Sequence, residues 1–303
     1  MVRRIRHITV AVLMVGGLLV GPTPAGAAPL ACGTILTVST TLTTDMSCPD
    51  DAIVVEAPGV ILDLGGHTIA GGGGAEGAGV RVLAGGVTVR NGRITGFRYG
   101  VYLGTGSSGS LVQGLSLTAD IDGVHVLSSS NRIRQNLITA SPNVAVLLAD
   151  HGNLVEANSL QRNSAGIFML GPNDILTNDI VGEFGDDRGI LGFRGGRVSG
   201  NRVSHYQGPA GIELLNGGEV SGNQVTANVD GIRVGGAATV RGNVAFGNLD
   251  DGIQAGPGAI VQGNIAVRNA DLGIEAPGAI DAGGNRAFAN GNPLQCAGVA
   301  CSG

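Results

Sequence analysis

The sequence predicts an all-β solenoid in which one short unit is repeated along most of the chain. The pattern Gly-Ile-x-Val, or a close variant, returns every 20 to 23 residues and is followed by Val-x-Gly-Asn. A period of this length is typical of solenoid proteins, whose stacked units bury one continuous core. The opening residues of the clearest units are Gly166, Gly189, Gly211, Gly231, Gly252 and Gly273, and an asparagine follows each of them after twelve positions.

Each unit holds three short strands separated by turns. In residues 230–248, Ile232 and Val234 alternate with Arg233, as expected for a strand with one buried face. Two further short apolar stretches follow, and Gly-Gly and Gly-Asn pairs separate them, as is common at turns that need positive φ. Three strands per coil predict a single-stranded parallel β-helix of about ten coils. No apolar period of 3.6 residues runs long enough for a helix.

The chain divides into one solenoid and two terminal segments. Residues 1–27 combine a basic start, an apolar run and a small-residue site, which predicts a signal peptide cleaved after Ala27. An N-terminal cap (28–52), the β-helix (53–290) and a C-terminal tail (291–303) follow. The apolar run of residues 8–20 is shorter than the roughly 20 residues that cross a bilayer. We therefore expect a secreted, extracellular protein with no membrane partner after cleavage.

Four cysteines lie only in the two terminal segments of the mature chain. In an oxidising compartment they predict two local disulfides, Cys32–Cys48 and Cys296–Cys301. Zinc binding is the weaker alternative, because no histidine accompanies either pair. Disulfides at these places would close the raw ends of the solenoid.

The charge distribution argues against several kinds of partner and chemistry. Without Arg3, Arg4 and Arg6 the mature chain has 15 arginines, no lysine and 23 acidic residues, a net charge of −8. An acidic surface disfavours nucleic acid, and the lack of lysine excludes Schiff-base catalysis by lysine. Residues 81–134 are an exception, since six arginines and two aspartates give this band a net charge of +4.

The segment Val60–Ile69, followed by the Gly-Ile-x-Val and Gly-Asn units, resembles the right-handed parallel β-helix proteins of the pectate-lyase-like superfamily. The terminal cysteine pairs resemble secreted members of actinobacterial type. The resemblance covers nearly the whole mature chain and implies the fold. The superfamily includes polysaccharide lyases, glycoside hydrolases, uronate epimerases, tailspikes and non-catalytic carbohydrate-binding proteins, so the fold does not select an activity.

The first candidate site lies in the positive band, where outward positions of successive coils read Arg81, Tyr102 and His125. Asp122 precedes the histidine strand, and Arg98 precedes the tyrosine strand. Arginine would bind a uronate carboxylate, while Tyr102 and His125 would act as base and acid in β-elimination or epimerisation. The chain has Asp122-Gly123-Val124-His125 where alginate epimerases carry Asp-Pro-His-Asp. Alternatively, the three polar residues are ordinary solvent-facing positions of a strand.

Further along the same stripe, Ala145, Phe168 and Leu191 predict an exposed apolar strip for a sugar face, and Glu213 and Arg233 predict additional substrate contacts. A long connection after Asn178 predicts a secondary cluster. Its members are Glu183, Asp186, Asp187 and Arg188, with His205 and Tyr206 on the next coil. Carboxylates grouped in this way could bind Ca²⁺ or supply the two acids of a glycosidase, although no cofactor is required. A solvated loop with internal ion pairs is the alternative.

The sequence thus predicts a protein that binds a polysaccharide or cell-surface glycan. It further predicts that the protein processes this glycan by β-elimination, epimerisation or hydrolysis. A non-catalytic structural, surface or adhesive recognition protein is the alternative. The oligomeric state is left open.

Secreted material is expected to begin at Ala28 and to carry no thiol, because all four cysteines pair within their own segments. Intact mass and thiol titration check both points. A chain that begins at Met1, or four free thiols, would contradict these two expectations.

Overall fold

A computed structural model describes residues 29–73, 76–183 and 187–303. The predicted signal peptide and Asp186 lie outside these ranges. The described chain winds through three strands per turn, and each strand pairs in parallel with its counterpart in the next turn. The all-β fold class is confirmed, with about twelve turns rather than about ten. Among the described residues, no helix is long and apolar enough to cross a membrane.

The first sheet contains thirteen strands and carries the candidate site on its outer face. Its strands are Thr34–Leu36, Ile53–Val55, Ala78–Val82, Tyr99–Leu103, Asp122–Val126, Val144–Leu148, Ala165–Met169, Ile190–Gly192, Ala210–Leu214, Asp230–Val234, Ile253–Ala255, Ile274–Glu275 and Cys296–Ala297.

The second and third strands of each coil form two more parallel stacks, which two longer strands join. The joining strands are Thr88–Thr95 and Leu111–Thr118. The second stack contains Thr40–Thr41, Ile61–Asp63, Arg132–Arg134, Leu154–Glu156, Asp174–Leu176, Arg197–Ser199, Gly218–Ser221, Ala238–Arg241, Ile260–Gln262 and Ile280–Asp281. The third contains Met46–Ser47, Thr68–Ala70, Leu137–Thr139, Ser159–Gln161, Asp179–Val181, Arg202–Ser204, Gln224–Thr226, Val244–Phe246, Ile265–Val267, Asn285–Phe288 and Cys301–Ser302.

The terminal segments account for the additional turns. Strands between Thr34 and Ser47 pair with the coil that follows them, and Cys296–Ala297 pairs with the coil before it. Both predicted disulfides are present, Cys32–Cys48 and Cys296–Cys301. The ends are therefore coils that disulfides fasten. The sequence pattern did not reveal these terminal coils because their repeats are degenerate.

Inward isoleucine, valine and leucine side chains form one continuous core, and buried asparagines hold the turns around it. Eight asparagines stack on consecutive coils at the turn between the second and third strands. They are Asn136, Asn158, Asn178, Asn201, Asn223, Asn243, Asn264 and Asn285, each at most 2% exposed. Each Oδ1 from Asn158 onwards accepts the backbone N–H of the preceding asparagine at 2.8–3.1 Å. The ladder thus satisfies turn amides that would otherwise be buried without a partner.

Truncating one rung of this ladder should destabilise the whole solenoid. In Asn223→Ala, the backbone N–H of Asn201 loses its acceptor, and Val198 O loses the hydrogen bond from Asn223 Nδ2. At about 1–3 kcal/mol for each buried group, we expect the free energy of unfolding to fall by roughly 3 kcal/mol or more. Urea unfolding measures the loss. The exposed neighbour Gln224→Ala should change stability by less than about 0.5 kcal/mol, and equal effects of the two variants would contradict this role.

Candidate functional site

Outward positions of the first sheet stack into one stripe along the solenoid. The register pairs Arg81 with Tyr102, Tyr102 with His125, and His125 with Leu147. The prediction that Ala145 belongs to this stripe is wrong, since Ala145 is fully buried and Leu147 faces outward. Ala145 occupies the position that glycine holds in most coils, so the sequence pattern placed this strand two residues too early.

The apolar strip expected on this stripe is also largely covered. Phe168 lies between Leu147 and Leu191 in the register and is half-buried. Leu191 is only 5% exposed. Leu147 and Phe168 are therefore the outward apolar side chains closest to His125 on the C-terminal side of the stripe.

Asp122 and His125 form the central contact of the candidate site. Asp122 Oδ2 lies 2.7 Å from His125 Nδ1, and Asp122 Oδ1 accepts a hydrogen bond of 2.6 Å from Asn143 Nδ2. The Asp122 side chain is 5% exposed and the His125 side chain 17%. A buried carboxylate at Nδ1 fixes the orientation of the imidazole, so Nε2 is the nitrogen that can exchange a proton with a ligand.

Two tyrosines surround this histidine. The ring of Tyr102 is stacked on His125 with 5.7 Å between centroids and 17° between planes. Tyr99 approaches the edge of His125 at 4.8 Å and lies 5.2 Å from Tyr102. Sequence reasoning missed Tyr99, although it immediately precedes the opening glycine of its coil, as Asp122 does. That shared position places Tyr99 opposite Asp122 in the register.

The two arginines near the tyrosines differ in how strongly a carboxylate of the chain already binds them. Arg81 stacks over Tyr102 at 4.7 Å, but its Nε and Nη2 donate hydrogen bonds of 2.6 and 2.9 Å to Asp51. Burial opposes ionisation of Asp51, yet the bonds from Arg81 and the Ala78 amide hold its pKa below the usual range. Arg81 is therefore neutralised internally, which argues against its predicted role at a uronate carboxylate. No pattern in the sequence indicated this partner, which lies thirty residues away.

Arg98 is the cation that faces solvent beside the site. Its Nε donates to Tyr99 Oη at 3.1 Å, and its side chain is 49% exposed. Its ion pair with Glu76 is long, at 3.6 Å, and the Glu76 side chain is 88% exposed. Such an exposed pair is worth little, so an external carboxylate can replace Glu76 at small cost.

The secondary cluster is held together by ion pairs. Arg188 bonds Glu213, whose side chain is 6% exposed, and also contacts Asp187 Oδ1 at 2.5 Å. Arg233 is bound in the same manner by Asp230 Oδ2, at 2.8 Å. Glu213 and Arg233 are neighbours on the stripe, four and five strand spacings from His125. Both predicted substrate contacts are thus already engaged within the chain.

The remaining members of the cluster differ in burial. Tyr206 is fully buried, and its ring lies against Gly182 and Gly189, so its predicted place in an exposed cluster is wrong. An aromatic ring fits there because these glycines lack side chains. Glu183 and His205 are exposed. Calcium binding in this loop stays a prediction, because Asp186 lies outside the described residues.

Carboxylates come together instead at a turn of the C-terminal coils. Oxygen atoms of Asp250, Asp251 and Asp271 lie within 4.8 Å of one another. Burial, with repulsion from Asp230 and neighbouring acids, raises the pKa of Asp251 to about 7. Asp251 Oδ1 already accepts the Leu272 N–H at 2.9 Å. This turn lies far from His125 along the solenoid and adds nothing to the site there.

The sequence profile of the right handed beta helix region matches residues 78–238, more than half of the chain. The chain belongs to the right-handed β-helix family. No curated protein sequence matches it. The matched segment contains the strands that carry Tyr99, Tyr102, Asp122 and His125.

Solved structures share the β-helix fold at low identity. The catalytic unit of the α-1,3-glucanase from Streptomyces thermodiastaticus is 14% identical with a TM-score of 0.64, over 84% of this chain and 62% of that one. The A-module of a mannuronan C-5 epimerase from Azotobacter vinelandii is 13% identical with a TM-score of 0.56, over 88% and 89%. The Dettilon tailspike protein is 14% identical with a TM-score of 0.50, over 88% and 60%. This β-helix thus spans about 62% of the glucanase unit, and the likeness shows the fold alone.

Beneath the site, a buried aspartate occupies the turn position that an asparagine holds on a later coil. Asp120 is fully buried, and its Oδ1 accepts the Phe97 N–H at 2.9 Å, as Asn163 Oδ1 accepts the Ser141 N–H on a later coil. Where Asn163 Nδ2 donates to a backbone carbonyl, Asp120 has Oδ2, and this oxygen has no hydrogen-bond partner among the described residues. Burial raises the pKa of Asp120 to about 7.

Asp120→Asn should therefore stabilise the protein at neutral pH. The folded-state pKa lies above the unfolded value of 3.8, so the contribution of Asp120 to wild-type stability falls as the pH rises from about 4 to 7 and is level above that range. The variant should lack this fall and gain up to about 4 kcal/mol at pH 8. Urea unfolding at pH 4, 6 and 8 measures it, with the exposed Asp174→Asn as control. A wild-type stability that rises from pH 4 to 7 relative to the variant would contradict the assignment.

Proposed function

We propose that this protein is secreted and binds an extracellular uronate-containing polysaccharide on the outer face of its first sheet. The observation that carries the proposal is the Asp122–His125 pair, set among Tyr99 and Tyr102 in an arginine-rich band. His125 is fixed by a buried carboxylate and lies beside the phenol of Tyr102. These two groups can both exchange protons with one ligand. Leu147 and Phe168 supply an apolar surface for the adjoining sugar ring.

The proposed reaction removes the proton at C5 of a uronate residue. Arg98 binds the carboxylate and lowers the cost of negative charge at C5. His125 or Tyr102 accepts the C5 proton. In β-elimination the electron pair forms the C4=C5 bond, the C4–O bond breaks, and the second group protonates the leaving oxygen. In epimerisation the second group returns a proton to the opposite face of C5.

Hydrolysis fits this site less well. A glycosidase needs two carboxyl groups on either side of the scissile bond, roughly 5 to 9.5 Å apart. Around His125 the structure offers Asp122, which is buried and already bonded to His125 and Asn143. Proton transfer at C5 requires no second carboxylate and is therefore the reaction that we propose.

One observation favours a second candidate, a glycan-binding protein without catalysis. Asp230 and Arg233 repeat the spacing of Asp122 and His125, and Arg233 Nε donates to Asp230 Oδ2 at 3.0 Å. An aspartate before the opening glycine thus holds an outward side chain in place on a coil without tyrosines as well. The Asp122–His125 contact can therefore be structural. In this alternative His125 binds sugar hydroxyls and transfers no proton.

Exchange of the C5 proton separates the two candidates. The purified protein is incubated in D₂O with alginate, polymannuronate and polygalacturonate, and NMR follows deuterium at C5 while absorbance follows unsaturated ends. We expect one or both signals, and a decrease of at least about 100-fold in His125→Ala and Tyr102→Phe. His151→Ala is the control, since His151 also pairs with an aspartate, at 2.6 Å, but lies on an exposed turn.

Arg98→Ala should weaken binding of the acidic polymer more than Arg81→Ala, because Asp51 already neutralises Arg81. Binding of a polymer with neither signal would support the non-catalytic candidate. Full activity in both the His125 and Tyr102 variants would contradict the proposed site.

A further inference from the structure

A ridge of exposed apolar side chains runs along one edge of the first sheet. Leu170, Phe193 and Leu215 each follow a strand of this sheet, and their exposed fractions are 43%, 37% and 39%. Their backbone N–H groups bond to the preceding coil, so the three lie on consecutive rungs. Large apolar side chains exposed in a continuous row, unlike scattered ones, indicate a contact surface.

A hollow continues the line of this ridge. At the same position the next two coils carry Gly235 and Gly256, and the coil after them carries Pro277. The missing side chains leave a cavity of about 440 Å³ between Leu215 and Pro277. Gly235 is required there, because a Cβ atom would lie 2.5 Å from Leu215 O.

Ridge and hollow each have one charged side chain without an ion-pair partner among the described residues, whereas Arg233, which also lines the hollow, is paired with Asp230. Arg194 follows Phe193 and is exposed, and within the described ranges it forms no ion pair. Glu275 lines the hollow and accepts a hydrogen bond from Gln254 Nε2 at 2.7 Å. Across the described residues no arginine or histidine pairs with Glu275.

We propose that this surface is the contact between two copies of the chain, related by a two-fold axis parallel to the strands of the first sheet. The two solenoids then run antiparallel, and the ridge of each copy fills the hollow of the other. Phe193 meets Gly256 of the second copy, and Leu215 meets its Gly235. An isologous contact requires this reciprocity, and neighbouring complementary features on one face supply it.

The same arrangement brings the charges together. Arg194 of each copy lies one rung from Glu275 of the other across the strands and three residues from it along them, so charges of opposite sign face each other at two places in the contact. The contact extends from Leu170 to Pro277, five strand spacings or about 24 Å. Tyr102 and His125 lie beyond its end and stay open to a ligand. Phe168 lies on the strand that Leu170 follows, so in the dimer the apolar surface for a sugar ring is reduced to Leu147.

A second copy fits this surface better than a sugar chain does. A sugar in the hollow would leave Leu170 and Phe193 exposed, whereas the second copy covers them and fills the hollow simultaneously. The backbone donors at the floor of the hollow are already used, because Gly235 N bonds Leu214 O and Gly256 N bonds Val234 O. Arg233 on its wall is paired with Asp230, and Gln254 Nε2 bonds Glu275.

Sedimentation equilibrium of the secreted protein between about 1 and 100 µM tests the proposal. We expect a monomer–dimer equilibrium whose dissociation constant rises at least tenfold in Phe193→Ser and in Gly256→Leu. Leucine can be placed at 256 because its Cβ would lie 3.4 Å from the nearest atom, Val234 O. The control is Phe288→Ser, at an equally exposed phenylalanine, 39%, on the third stack.

A charge exchange makes the test specific. Arg194→Glu and Glu275→Arg should each weaken the dimer about fivefold, and the double variant should restore it, since two exposed pairs are reversed together. A protein that stays monomeric to about 100 µM, or a dimer that none of these variants affects, would overturn the proposal. A monomer whose glycan binding is abolished by Gly256→Leu would overturn it as well, in favour of a sugar in the hollow.

Discussion

Hydrogen bonding at the turns is the constraint on which the rest of the structure depends. A solenoid buries its turns between neighbouring coils, and each buried amide needs an acceptor. The stacked asparagines supply it, since each Oδ1 accepts the N–H of the coil before it and each Nδ2 donates onward. Coil spacing is thereby fixed at that of a β-sheet, and every outward side chain meets its neighbours at a set distance.

This register explains how distant parts of the sequence build a site. Tyr99 and Tyr102 lie one coil before Asp122 and His125, and the stacking of coils brings their rings within 6 Å. These side chains lie beyond the end of the proposed contact between two copies, so a ligand can reach them in the monomer and in the dimer. Asp120 is buried in the same coils, where its Oδ1 accepts the N–H of Phe97, two residues before Tyr99.

The fold could be predicted from the sequence because the repeat encodes it directly. Glycine, isoleucine, valine and asparagine recur at fixed positions, which are the close backbone contacts, the core side chains and the turn amides of each coil. The site could be predicted less completely. His125 and Tyr102 followed from the period, but Asp51, the partner of Arg81, lies in a degenerate coil thirty residues earlier. Leu147 was missed because Ala145 replaces the glycine that marks the start of a strand. Burial of Tyr206 depends on Gly182 of the preceding coil and Gly189 of its own coil.

A crystal structure of the protein with an acidic oligosaccharide tests the location of the site most directly. We expect the sugar along the outer face of the first sheet, with one carboxylate at the Arg98 guanidinium and C5 near His125 Nε2 and the Tyr102 hydroxyl. A sugar bound elsewhere on the solenoid, with the rings of Tyr99, Tyr102 and His125 uncovered, would contradict the assignment of the site.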